Sequence, residues 1–153
     1  MKEGPVGEEP PIRVLAAVDG SEHAERAAQV AAGLLAGRRL EVEVLVVLSF
    51  ELDPYTLLGE SLEDTPERQR AERHAVETAT SAPKRIFEAV RARVEVRHRF
   101  GNPADEILAE AQEREPDLIV VGRQGLSAPA RWLIGSVSDR VVRHAHAPVL
   151  VVP

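Results

Sequence analysis

Five short apolar runs, rich in β-branched residues, alternate with segments of helical period, and this alternation most limits what the chain can fold into. Ile12, Val14, Leu15 and Val18 form the first run, which breaks at Asp19-Gly20-Ser21 as a strand entering a turn. The second, LEVEVLVVLSF, alternates at first and is continuously apolar from Val44 to Leu48, as suits a parallel strand covered on both faces. RVEVRHRF places Val94, Val96 and His98 on one face of a third strand. DLIVVG and APVLVVP supply the fourth and fifth. The order βαβαβαβαβ implies an open, mostly parallel five-stranded α/β sheet with helices on both faces. With 153 residues, no internal repeat and no low-complexity linker, the chain is expected to make one domain over 12–153. Residues 1–11, polar and rich in Pro and Gly, read as a flexible leader.

The helices carry their own punctuation. Ala24, Ala27, Ala28, Ala31, Leu34 and Leu35 mark an apolar face behind Ser21 as N-cap, with Gly37 expected at C′. Thr65-Pro66 pairs an N-cap with proline at N1. The helix it opens is expected to reach about Thr80. There Pro83 kinks or restarts it, with Ser81 as a new cap and Ile86, Phe87 and Val90 in the second piece. Asn102-Pro103 opens another helix with Ile107, Leu108 and Ala111 inward. The last is expected from Ser136 to about His146, with Val137, Val141, Val142 and Ala145 on one face.

Composition removes several function classes. A net charge of −6 disfavours nucleic acid and anionic membrane surfaces as partners. The absence of cysteine excludes disulfides, thiolate catalysis and cysteine-ligated zinc. The N-terminal MKEGPVGEEPP has no apolar core, and no run reaches the roughly 18 apolar residues of a membrane span. A cytoplasmic protein is therefore expected. The five histidines form no i, i+4 pair that would suggest a metal site.

Only ten glycines occur in the chain, yet three surround one loop: VVGRQGLSAPARWLIGS contains Gly122, Gly125 and Gly135, the last followed by Ser136. The loop follows the fourth strand, and Asp19-Gly20-Ser21 follows the first. In open α/β sheets ligands bind beyond such carboxyl ends. Glycines before a helix N-terminus let an anion approach backbone N–H groups. The same spacing also fits turns and a helix cap alone, with Ser136 as cap and Asp139 as its capping partner. No Gly-Lys-Ser/Thr P-loop and no GxGxxG fingerprint follows the first strand. Arg131-Trp132 reads as an anchor for the loop or a partial lid over phosphates, and Glu51, Asp53, Glu60, Glu63 and Asp64 as a solvated acidic loop.

Gly122-x2-Gly125-x9-Gly135-Ser136 has the spacing of the ATP-binding motif of the universal stress protein family, and over residues 12–152 the chain resembles that family. VDGSEHAERA, GNPADEIL, DLIVVG and APVLVV stand where the family has similar segments. The resemblance implies strand order 3-2-1-4-5. It implies that Asp19 lies beside the ribose and phosphates of ATP or their Mg²⁺, and that backbone at Val47 reads the adenine edge. It makes Gly122, Gly125, Gly135 and Ser136 the ribose and phosphate loop, with Val137 and Ser138 continuing the amide cradle. It further implies a homodimer through the last strand, Pro148 to Val152. At Arg123 the family commonly has a small hydroxyl residue, at Val46 often histidine, and at Ala17 in some members proline. Ala17 and Arg123 belong with the nucleotide-binding positions.

The expected function is an ATP-binding stress or signalling module that hydrolyses slowly or not at all, since no residue reads as a poised general base. One alternative is a weak adenine-nucleotide hydrolase. It lacks the Ser-Gly-Gly-x-Asp-Ser pyrophosphate loop after the first strand. The other is a dimeric interaction module that binds no nucleotide, which the intact Gly/Ser motif opposes and Arg123 favours.

Overall fold

The computed structural model describes residues 9–49, 65–125 and 134–153. Their elements, in chain order, are β1 (Ile12–Val18), α1 (Glu22–Leu34), β2 (Leu40–Leu48), α2 (Pro66–Ala89), β3 (Arg93–Phe100), α3 (Pro103–Arg114), β4 (Leu118–Gly122), α4 (Ser136–His144) and β5 (Val149–Val152). The strands form one parallel sheet in order β3-β2-β1-β4-β5, the expected order.

Strand alternation sorts the apolar side chains into two cores. Val14, Ala16, Val18, Val42, Val44 and Val46 point to the face covered by α1 and α2. Leu15, Leu45, Ile119 and Val121 point to the face covered by α3 and α4. On α1 the buried residues are five alanines: Ala24, Ala27, Ala28, Ala31 and Ala32. Their small side chains let the helix lie close against β-branched strands. Leu34, expected inward, is 70% exposed. At about 100° per residue it stands roughly at right angles to the centre of that alanine stripe. Leu35 rather than Ala36 caps the helix, so Gly37 (φ +85°) lies one position beyond C′.

Three caps form as their spacing requires. Ser21 Oγ accepts from Ala24 N, Thr65 Oγ1 from Arg68 N and Asn102 Oδ1 from Asp105 N. Pro83 behaves differently from expectation: α2 neither stops near Thr80 nor restarts at Ser81, but continues through Pro83 to Ala89. Ala79, Thr80, Pro83 and Phe87 form one buried stripe at i, i+3/i+4 spacing, so packing holds the helix across the N–H that proline lacks. On α3 the buried stripe is Ala104, Ile107 and Glu110, not Leu108, which joins neither core. The last helix ends at His144, two residues short of expectation, because the chain turns at Ala145 to enter β5. Val142, expected inward, is 46% exposed. Of the leader, only residues 9–11 are described; Glu9 lies 3.0 Å from Arg38.

Candidate functional site

The chain leaves β1 for β2 on one side and returns from β3, across the sheet, to β4 on the other. β1 and β4 are therefore neighbours whose connections diverge, and a crevice opens beyond their carboxyl ends. The registers align these ends. Val18 stands opposite Val46, and Gly122 opposite Val152. β2 runs on through Val47 and Leu48, past its last β1 pair.

Asp19 is the first residue past β1. Its Oδ1 accepts from Ser21 N at 3.0 Å, closing an Asx turn in which Gly20 takes φ +83°. Ser21 then caps α1. The carboxylate is thus held in place by backbone, and its Oδ2 lies against Gly125: a Cβ built there would stand 2.6 Å from that oxygen. The other two motif glycines are also points of close approach. A Cβ at Gly122 would stand 2.9 Å from the backbone C and O of His23 at the start of α1. One at Gly135 would stand 3.2 Å from the Arg123 carbonyl oxygen. At Gly122 the obstacle is backbone and leaves no room for a side chain, whereas at Gly125 it is the tip of the Asp19 side chain and at Gly135 a tight but longer contact.

Backbone contacts join the two described ends of the loop. Arg123 N donates to Val152 O at 2.7 Å, and Gly135 N donates to Arg123 O at 2.7 Å. Ser138 Oγ donates to Gly122 O at 2.5 Å. The start of α4 is thereby fastened to the end of β4, directly beside Asp19. Gly135, not Ser136, is the N-cap, and it makes no side-chain cap bond. The first intrahelical bond runs from Asp139 N to Gly135 O, so the N–H groups of Ser136, Val137 and Ser138 have no acceptor within the helix. The expected capping partner Asp139 instead takes Arg143 Nε at 2.9 and 3.0 Å. An N-terminus free of a side-chain cap leaves these N–H groups open to an anion.

The sequence-derived positions therefore divide. Asp19, Gly122, Arg123, Gly125, Gly135 and Ser136 converge on the crevice. Val137 offers backbone only, since its side chain packs in the α3/α4 core; the Ser138 hydroxyl is committed to Gly122. Ala17 and Val47 sit half-buried on that same sheet face. Arg131-Trp132 and the acidic residues from Glu51 to Asp64 lie outside the described residues. Sequence reasoning missed two neighbours: His23, whose backbone abuts Gly122, and Gln124, only 8% exposed within the loop. A polar residue between motif glycines was a signal for Gln124; His23 stood near the capping Ser21, but nothing local placed its backbone against Gly122. Among the described residues, no group of three His, Cys, Asp or Glu could by itself hold a metal ion.

Residues 12–153 match the universal stress protein family. A Staphylococcus aureus (strain USA300) protein that carries the universal stress protein name is 34% identical over 140 residues, covering 91% of this chain and 82% of that protein. A universal stress protein solved in complex with cAMP is 25% identical, with a TM-score of 0.63, covering 93% of this chain and 96% of that one. The universal stress protein of Archaeoglobus fulgidus in complex with dAMP is also 25% identical, with a TM-score of 0.60, covering 94% and 98%.

Proposed function

Because the chain belongs to the universal stress protein family, we propose that it binds an adenine nucleotide in the crevice between β1 and β4 and works as an ATP-responsive stress or signalling module. The observation that carries this reading is the three-way approach of Gly125 to Asp19, Gly135 to Arg123, and the uncapped start of α4 to both. Phosphates would meet the amides of Ser136, Val137 and Ser138, where unpaired N–H groups and the helix dipole favour negative charge. The half-buried Arg123 adds a cation to the same loop. Two relatives support the adenine: cAMP and dAMP differ in sugar and in phosphate linkage and share the base. Val47, on the stretch of β2 that outruns β1, is the position to read its edge.

Asp19 would otherwise set its carboxylate against phosphate, which fits Mg²⁺ held by one carboxylate and the phosphate oxygens, the usual arrangement for that ion. Asp19, already tied to Ser21 N, would hold the ion rather than act as a base, so occupancy rather than turnover would be the output. The wider proposal is a cytoplasmic homodimer paired through β5, an edge strand of the sheet. No described helix is long and apolar enough to cross a membrane.

Calorimetric titration tests the site. Mg-ATP should bind and GTP bind at least tenfold more weakly, a difference of about 1.4 kcal/mol. Gly125→Val should abolish binding while leaving the circular dichroism spectrum unchanged, because the clash falls on a side-chain carboxylate rather than on backbone. Equal affinity for GTP would remove the adenine assignment, and full affinity in Gly125→Val would remove the loop from the site.

A further inference from the structure

Among the described residues, two carboxyl groups displaced from their ordinary range, Glu43 and Glu110, lie at the other end of the sheet. Glu110 on α3 is fully buried. Its Oε2 accepts from Arg99 Nη1, and its Oε1 lies 3.3 Å from both Arg97 Nε and Arg114 Nε. Glu43 on β2 turns its Oε2 to the same Arg114 Nε, at 3.4 Å. One N–H thus faces two carboxylates, and it has one hydrogen to give. Glu43 Oε1 is buried, and no donor among the described residues reaches it. Burying an oxygen in that state is costly unless it carries a proton and donates it.

The surrounding charges decide which carboxyl holds that proton. A cavity of about 340 Å³ lined by Arg13 of β1, Glu41 and Glu43 of β2, Arg93 and Glu95 of β3, and Arg114 opens at the amino ends of the strands. Arg13 is 3.7 Å from Asp117, and Glu95 is 3.6 Å from Arg97 and 3.8 Å from Arg114. On the far side Arg99 is also held by Glu106 at 2.7 Å and Glu113 at 3.3 Å. Glu110 therefore touches three guanidinium groups, and Glu43 shares only one of them. Two adjacent carboxyl groups this unequally served do not both ionise in the ordinary carboxylate range. Burial pushes Glu110 up, but the bonds from Arg99 and Glu43 and the charges of Arg97 and Arg99 outweigh it and leave it lowered. Burial, then the bond to Glu110, pushes Glu43 up to about 8.

We propose that Glu43 and Glu110 share one proton in a carboxyl clasp that fastens α3 to β2, and that alkaline conditions release the proton and loosen this end of the fold. The proton sits on Glu43 and is donated to Glu110. Its loss leaves two negative charges, one of them fully buried, beside one Arg114 Nε. The sign follows from the direction of the shift. The folded chain holds a proton that the unfolded chain gives up near 4.5, so the clasp's contribution is complete below 4.5 and is lost as pH rises through about 8. The clasp lies at the amino ends of the strands, opposite the crevice at their carboxyl ends.

Glu43→Gln tests it, since the amide keeps the size and the donor but cannot titrate. Infrared difference spectra of the wild type near about pH 6 should show a protonated-carboxyl C=O stretch that disappears with a midpoint near 8. Glu43→Gln should lack this band, and Glu41→Gln, altered on the same strand at an exposed position, should keep it. From about pH 6 to 9 the thermal midpoint of the wild type should fall by several degrees relative to that of Glu43→Gln. Wild-type and Glu43→Gln proteins with the same infrared band, or with midpoints that stay parallel across this range, would overturn the clasp.

Discussion

Glycine means different things at different positions in this chain, and the surroundings of each decide which. At Gly122 a Cβ meets the backbone carbon and oxygen of His23, atoms held in the first turn of α1. Gly122→Ala should therefore cost about 1–3 kcal/mol, as overpacking against an unyielding neighbour does. Gly33 is the counterexample: it lies within α1, is exposed, and would place its Cβ in open space. Gly33→Ala should stabilise by roughly 0.5–1 kcal/mol, the helix-propensity difference between the two residues. Urea denaturation of both variants checks the pair; equal midpoints would show that neither environment matters. As residue types the two glycines are identical. The motif spacing marked Gly122 as special, but the reason, contact with a residue about a hundred positions away, was not local information.

At the scale of elements, caps were legible and faces only partly so. A cap joins a side chain to a backbone N–H three residues on, so Ser21, Thr65 and Asn102 could be read from their immediate neighbours. The orientation of a helix depends on what lies beneath it. In α2, Phe87 is fully buried while the helix crosses Pro83, and its ring holds the C-terminal half of α2 to the sheet. Phe87→Ala should cost about 3–5 kcal/mol. Leu34, apolar but 70% exposed, should tolerate Gln within about 0.5 kcal/mol. Chemical denaturation with fluorescence or circular dichroism separates the two, and a Leu34→Gln cost near that of Phe87→Ala would mean that Leu34 is covered in solution. The burial of Glu110 was illegible for the same reason. A glutamate at helical spacing reads as a solvent-facing residue until Arg97, Arg99 and Arg114 are brought around it.

The two edges of the sheet differ in how they meet solvent. β3 alternates Arg93, Glu95, Arg97 and Arg99 along one face, the charged pattern that discourages strand addition. β5, four apolar residues at the opposite edge, has no such charges. An edge of that kind invites a second strand, and two copies related by a two-fold axis satisfy it and close the assembly. Sedimentation should therefore give a dimer. Leu150→Pro, which removes a backbone donor in the middle of β5, should give a monomer or an aggregate. A wild type that stays monomeric at concentrations near those used for crystallisation would refute the pairing.

The sequence by itself determined the number, type and order of the elements and the presence of a glycine loop between a strand and a helix. These follow from periodicity and turn chemistry acting over a few residues. Its resemblance to a known family supplied the strand order, which periodicity does not contain. Tertiary structure decided what depended on distant partners. It set Gly125 against Asp19, left the start of α4 without a side-chain cap, carried α2 through Pro83, and brought Glu43 and the buried Glu110 to one arginine. In each case the deciding energy is steric exclusion, burial or charge between segments far apart in the chain, and it comes into being only when folding removes the water between them.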